Sequence, residues 1–263
     1  MNNNLTFIVI SSTNDISIEN TLKSIAGVAP VLLIDGGPRK HYSLAHEEIS
    51  LINLAKKYSI DYKARKFMNA ADQYNFGIKN VKTTWAFIID SDETLSVELK
   101  SYLERGDFDG VTHFSVKRFN YFLGKKMRHG QFRPDWNIRL INVGHCKYED
   151  RAVHARMIAE GRGAKAPGFI IHNTVQSIDA FFLKMLEFTK LEIDARTNGN
   201  QSREKKAKLR TIIQELPFQA TLRFIYSYWF RLGILDGRTG YLLAKSASYY
   251  EVMVELNALE RDG

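Results

Sequence analysis

Apolar residues in the first hundred positions gather into short, β-branched runs, and the stretches between them carry helical spacing. Residues 5–10, 30–34, 60–64 and 85–89 have the length and composition of buried strands. Residues 17–26, 44–58 and 70–79 read as the helices between them, the second from Leu44, Ile49, Ile52, Leu54 and Ala55. Such β-α-β succession implies a parallel sheet covered by helices on both faces. Ligands of such sheets bind beyond the carboxyl ends of the strands. That rule lines up Ser11–Asn14, Asp35 and Asp90–Glu93 along one rim.

The pattern then changes. Residues 110–118, 136–142 and 168–171 look like further strands, and a basic, glycine- and aromatic-rich segment separates the first two. From Ser177, a plausible N-cap, the chain turns helical, with Ile178, Phe181, Phe182, Met185 and Phe188 on one broad face. Residues 196–210 carry six basic residues and one acidic, and read as an exposed connection. Two more helices are expected at about 217–232 and 237–259, with ILDGRTG as their corner. The expected division is a catalytic domain over 1–175 and a helical extension over 176–263.

The strand at 85–89 ends in three carboxylates, Asp90, Asp92 and Glu93, in WAFIIDSDE. Carboxylates this close repel, and burying them is costly without a counter-charge. A divalent cation bridging to a phosphate-bearing substrate accounts for them, and oxygen ligands suit Mg2+ or Mn2+. The competing reading is an acidic loop before a helix capped by Thr94 or Ser96.

Composition narrows the partners. The 263 residues carry a formal charge of +8, which favours anionic partners such as nucleotide phosphates or an anionic membrane surface. No nucleic-acid recognition motif appears, and the aromatics lie in apolar runs, so nucleic acid is not expected. Cys146 is the only cysteine, which excludes an intrachain disulfide and a multi-cysteine zinc site and fits a reducing compartment. The N-terminus reads as a strand without a signal peptide, and no apolar window has transmembrane length. A cytoplasmic protein is expected.

The order of motifs resembles the family-two inverting glycosyltransferases of GT-A fold, in the branch acting on lipopolysaccharide core and related surface glycans. The residues that carry the resemblance are IDGGP (34–38), NAADQYNFGI (69–78), FIIDSDE (87–93), HGQFRPDWNIRL (129–140), AVH (152–154), FIIHN (169–173) and GILDGRTG (233–240). It spans about residues 5–250. Members of the branch often follow the V-H with Glu, where this chain has Ala155.

The resemblance implies a Rossmann-like α/β fold, a nucleotide-sugar donor, with a UDP-sugar favoured, and a glycan or lipid-linked acceptor. It assigns Asp35 to the base or ribose, although Asp-Gly-Gly-Pro is turn chemistry in its own right. Ser11, Thr13 and Asn14 would line the nucleotide pocket. Asn69 and Asn75 bracket a helix start that favours an anion, with Asn69 equally an N-cap. Asp92 is the expected metal ligand and Asp90 contacts ribose or metal. His172 and His154 are candidates for the remaining ligand, against the structural role of most lone histidines. Arg139 and the basic loop would hold diphosphate or an anionic acceptor. Asp135, Asp150 and Glu149 are the acids available as general base.

Three other readings compete. A nucleotidyltransferase would also use carboxylates and metal, yet SSTND at residues 11–15 supplies no Gly-rich phosphate loop. A glycosyltransferase-like protein with lost or altered activity fits Ala155. The aromatic, arginine-flanked run at residues 222–231 reads either as core packing or as a surface docked peripherally on the inner face of the cytoplasmic membrane.

Overall fold

The computed structural model describes residues 1–12, 17–37, 50–150, 155–175, 177–197 and 218–262. These residues divide into two compact units. One comprises Met1–Phe119 and Asp135–Thr174, the other Asn120–Pro134 and Val175–Gly263.

The first unit opens with the expected alternation: β1 (Leu5–Ser11), α1 (Ile18–Ile25), β2 (Val31–Asp35), α2 (Leu51–Tyr58), β3 (Asp61–Ala64), α3 (Ala70–Asn80) and β4 (Trp85–Asp90). β1 pairs in parallel with both β2 and β4, and β2 with β3. Every residue of β1 is buried, as expected of a central strand covered on two sides. One side holds Phe7, Val9, Leu33, Phe87 and Ile89, the other Ile8, Ile10, Ile34 and Ile88. α3 approaches the second side at Gly77, where a methyl group would meet Ile8 at 2.5 Å and Ile34 at 2.9 Å. The α/β class is therefore as the alternation implied.

Parallel order stops at β4. β5 (Glu93–Leu95), α4 (Val97–Arg105), β6 (His113–Phe122), β7 (Lys125–Lys126), β8 (Asp135–Asn142), β9 (Cys146–Tyr148), β10 (Met157–Ala159) and β11 (Gly163–Val175) follow. The strand order is β3-β2-β1-β4-β8-β6-β11-β5, with the later contacts β4–β8, β6–β8 and β11–β5 antiparallel. The sheet is thus mixed, where the sequence suggested one mostly parallel. β5, β9 and β10 have three residues each; β5 is created by pairing with the distant β11, whereas β9 and β10 pair with each other in a separate two-stranded sheet. Ser96 caps α4, its side chain accepting from Leu99 N at 3.3 Å. The acid-rich turn therefore both ends β4 and leads into a capped helix.

In the second unit the end of β6 pairs with β7 as a hairpin, and α5 (Ile178–Thr197), α6 (Gln219–Ile225), a π-helical turn (Tyr226–Phe230), a 3-10 turn (Gly233–Asp236) and α7 (Gly237–Asp262) follow. Phe122, Met127, Val175, Phe181, Met185 and Leu243 form its core. The apolar face expected on α5 is only partly covered: Phe181 and Met185 are buried, whereas Ile178, Phe182 and Phe188 are exposed.

Candidate active site

Register alone brings the first residues together. Ser11 lies opposite Asp35, and Ile10 opposite Asp90, at the carboxyl ends of three parallel strands. Ser11 is buried and its hydroxyl donates to Ser12 O at 3.3 Å. Asp35 makes the turn that its sequence suggested, accepting from Gly37 N at 2.7 Å, and its second oxygen accepts from Tyr62 OH at 2.7 Å. That bond to Asp35, followed by burial, pushes the Tyr62 phenol up to about 12. Thr13, Asn14 and His154 lie outside the described residues, as do residues 44–49 of the second expected helix.

Beyond β4 the carboxylates are sorted by environment. Glu93 is fully buried; Oε1 accepts from Arg139 at 2.8 Å and Arg118 at 3.3 Å, and Oε2 from the backbone N–H of Asp90 at 3.1 Å. Burial raises its pKa despite these partners. Asp90 accepts from Arg139 at 3.0 Å and, through its other oxygen, from the Tyr74 hydroxyl. Desolvation opposes its ionisation, but the Arg139 charge and the bonds from Tyr74 and Arg139 outweigh that and hold it down at about 2. Burial in turn raises the Tyr74 phenol, and Tyr148 stacks on its ring at 4.8 Å.

Asp92 turns the other way. Its Oδ2 lies 3.1 Å from His172 Nε2, and its backbone O accepts from Asn173 N at 3.2 Å. Antiparallel pairing of β5 with β11, which sets His172 opposite Glu93, brings them together across 80 residues. The turn itself is pinned from beneath: Thr21 Oγ1 and Ser17 Oγ both donate to Ser91 O, at 2.7 and 3.0 Å.

Several expected roles change in this geometry. Arg139 is buried and turned onto Asp90 and Glu93, so it neutralises carboxylates where a diphosphate contact was expected. Asn75 is engaged by its amide in both directions with the backbone of Tyr148, at 2.8 and 3.0 Å. Asn69 caps α3 through a 2.8 Å bond from Asp72 N. Asp135 is clamped by Arg118 at 2.8 and 3.1 Å. Burial works against its charge, yet Arg118 prevails and lowers its pKa, which weakens it as a proton acceptor. Glu149 and the exposed Asp150 follow Tyr148, whose ring stacks on Tyr74, and the Glu149 backbone N–H donates to Arg156 O at 2.9 Å. Tyr74, Arg118, Tyr148, Ser17 and Thr21 carried no sequence signal, because each acts through a partner 16 or more residues away.

Asp92 and His172 are the side chains here that could contribute to holding a cation. Asp90, Asp92, Glu93 and Asp135 set four carboxylates against the guanidiniums of Arg118 and Arg139, leaving a local excess of negative charge. The 3.1 Å between Asp92 Oδ2 and His172 Nε2 is an ordinary hydrogen-bond distance. Among the described residues no three His, Cys, Asp or Glu side chains cluster to hold a metal by themselves. Magnesium-type ions commonly complete such partial sets with substrate phosphates and water.

No protein-family model matches the chain. It is 22% identical over 262 residues to the lipopolysaccharide core biosynthesis glycosyltransferase LpsC of Rhizobium meliloti (strain 1021), covering 98% of this chain and 92% of that one. Among solved structures, the mannosyltransferase PcManGT from Pyrobaculum calidifontis, in complex with GDP-Man and Mn2+, overlaps 98% of this chain and 88% of its own at 11% identity, with a TM-score of 0.46. S. aureus TarS 1–349 in complex with UDP overlaps 97% of this chain and 91% of its own at 13% identity, with a TM-score of 0.44.

Proposed function

We infer that the chain, a glycosyltransferase of the surface-glycan branch, moves a sugar with inversion from a nucleotide donor, a UDP-sugar, to a lipopolysaccharide-core or other lipid-linked acceptor. The full-length similarity to a lipopolysaccharide-core enzyme supports the acceptor class. The observation that carries the chemistry is the Asp92–His172 pair at the end of β4, beside two carboxylates already neutralised by Arg139. Asp92 and His172 would hold Mn2+ or Mg2+, which would supply positive charge to neutralise a departing diphosphate.

The remaining roles belong to the chain itself. Asp35 and Ser11 flank the donor's nucleoside at the rim of β1 and β2. Asp90, fixed by Tyr74 and Arg139, orients the ribose side of the site. The base role falls to the Glu149–Asp150 pair, since Asp135 is held ionised by Arg118. A peripheral contact with the inner face of the cytoplasmic membrane, where a lipid-linked acceptor would be met, completes the reading.

Isothermal titration with UDP tests it. Binding should require Mn2+ or Mg2+ and weaken at least about tenfold in Asp92→Asn. Metal-independent binding, or an unchanged Asp92→Asn titration, overturns the metal role. A panel of nucleotide sugars screened for donor hydrolysis identifies the sugar, and Glu149→Gln and Asp150→Asn variants identify the base by their loss of kcat.

A further inference from the structure

The second unit presents apolar side chains where the backbone argues against them. Leu123 (φ 49°) and Leu232 (φ 59°) both occupy the left-handed region. Glycine and asparagine adopt it readily and leucine does not. Leu123 and Gly124 form the two-residue tip of the β6–β7 hairpin, with φ positive at both positions. Asn-Gly is the ordinary choice for such a tip. Leu232 follows the π-helical turn and precedes Gly233. Neither leucine is compensated by burial: they are 47% and 50% exposed. Unfavourable backbone positions that persist point to function.

These two tips belong to one edge. Lys125 Nζ donates to Asp236 O at 2.9 Å and Thr239 Oγ1 at 3.3 Å, and Gly130 N donates to Arg231 O at 2.9 Å. The Asp236 carboxylate accepts from the backbone N–H groups of Arg128 and His129. The corner beside Leu232 adds Trp229, Phe230 and Leu235, which are 56%, 77% and 63% exposed.

Charge decides what covers this edge. Residues 120–134 and 218–251 contain eight lysines and arginines against two acids, Asp236, which is buried, and Glu251, which pairs with Arg223 at 3.6 Å. A second copy of the chain would set like charges face to face, whereas an anionic headgroup layer neutralises them. Apolar tips beside a tryptophan and a ring of cations are the composition that lies in a membrane interface. No helix among the described residues is long and apolar enough to cross a membrane.

We propose that this edge seats Leu123, Trp229, Phe230, Leu232 and Leu235 in the headgroup–acyl boundary of an anionic bilayer. The proposal deepens the membrane contact in the function inferred above, and its observations are independent of the transfer chemistry.

Sedimentation with phosphatidylcholine vesicles, with and without phosphatidylglycerol, tests it. The protein should bind the anionic vesicles at low salt and far less the neutral ones. The double variant Leu123→Asn, Leu232→Asn should lose at least about tenfold in partition while its thermal midpoint stays level or rises, because asparagine tolerates the left-handed region. Failure of the wild-type chain to bind anionic vesicles, equal binding to neutral vesicles, or undiminished binding by the double variant overturns the proposal. So does a concentration-dependent dimer that the double variant dissociates. Titration of UDP and Mn2+ into the double variant should match wild type. If vesicle binding holds while wild-type nucleotide binding is absent, the transferase reading falls and the membrane edge stands.

Discussion

The guanidinium of Arg139 lies 2.8 Å from the carboxylate of Glu93, and the two are buried together beneath the turn that ends β4. The same nitrogen reaches Asp90 at 3.0 Å. Removing one partner of a buried pair leaves the other charge uncompensated, which costs about 3–5 kcal/mol. Arg139→Met should lose stability of that order in urea denaturation. Adding Glu93→Met to it should recover part of the loss, since a buried pair replaced together by apolar groups is often nearly neutral.

Asp92 and His172 are a partly buried pair, with side chains 29% and 14% exposed. Solvent reaches them as it does not reach Glu93, and such a pair contributes about 1 kcal/mol or less to folding. Asp92→Asn and His172→Gln should therefore leave the urea midpoint nearly unchanged while each lowers Mn2+ affinity at least about tenfold. In the double variant the two losses should not add, because both residues serve one ion. Full additivity would place them in separate roles.

Thr21 is buried and bonds Ser91 O, the carbonyl between Asp90 and Asp92. Thr21→Val keeps the shape and removes the donor, at a cost of about 1 kcal/mol. Donor hydrolysis should fall with it, because the turn carrying both aspartates loses an anchor. Measuring kcat beside the urea midpoint separates the two effects.

Acid should loosen the site over a definite range. Against desolvation, the Arg139 charge and the bond from Tyr74 hold Asp90 down at about 2 in the folded chain, below the ordinary carboxylate range. A depressed folded pKa contributes stability that is present above the unfolded value and is lost as pH falls through the folded one. Asp135 and Asp72 shift in the same direction, each through an arginine that outweighs desolvation. Glu93, raised by burial, works the other way. The net expectation is a urea midpoint that declines between about pH 4 and about pH 2, with a shallower decline in Asp90→Asn.

Gly77 tests the packing of α3 on the sheet. A Cβ there would lie 2.5 Å from Ile8 Cγ2 and 2.9 Å from Ile34 Cδ1. Overpacking of this kind costs about 1–3 kcal/mol. Gly77→Ala should lower the thermal midpoint despite alanine's better helix propensity, and Ile34→Val combined with it, which removes the Cδ1 atom, should restore part of the loss.

Much of the first unit was legible because its signals are local. The runs at β1, β2 and β4 announce buried strands, and the intervening periodicity announces helices, so the rim holding Ser11, Asp35 and Asp90 follows from topology. The antiparallel half was less legible. β5 spans three residues, Glu93–Leu95, and exists through its pairing with β11. Likewise the aromatic run of the second unit has one composition whether it is buried or exposed, and sequence left both open. Its left-handed leucines are visible only in the backbone.

Local chemistry in the chain determined the α/β class and the strand that runs into the acidic turn of Asp90, Asp92 and Glu93. Each of these depends on residues close together along the chain, so spacing alone expresses them. Folding decided which carboxylate is neutralised and which is presented. Arg139 and Tyr74 immobilise Asp90, Arg139 and Arg118 bury the charge of Glu93, and β11 delivers His172 to Asp92. Three acids that are alike in sequence become unlike because their counter-charges arrive from strands distant in the chain.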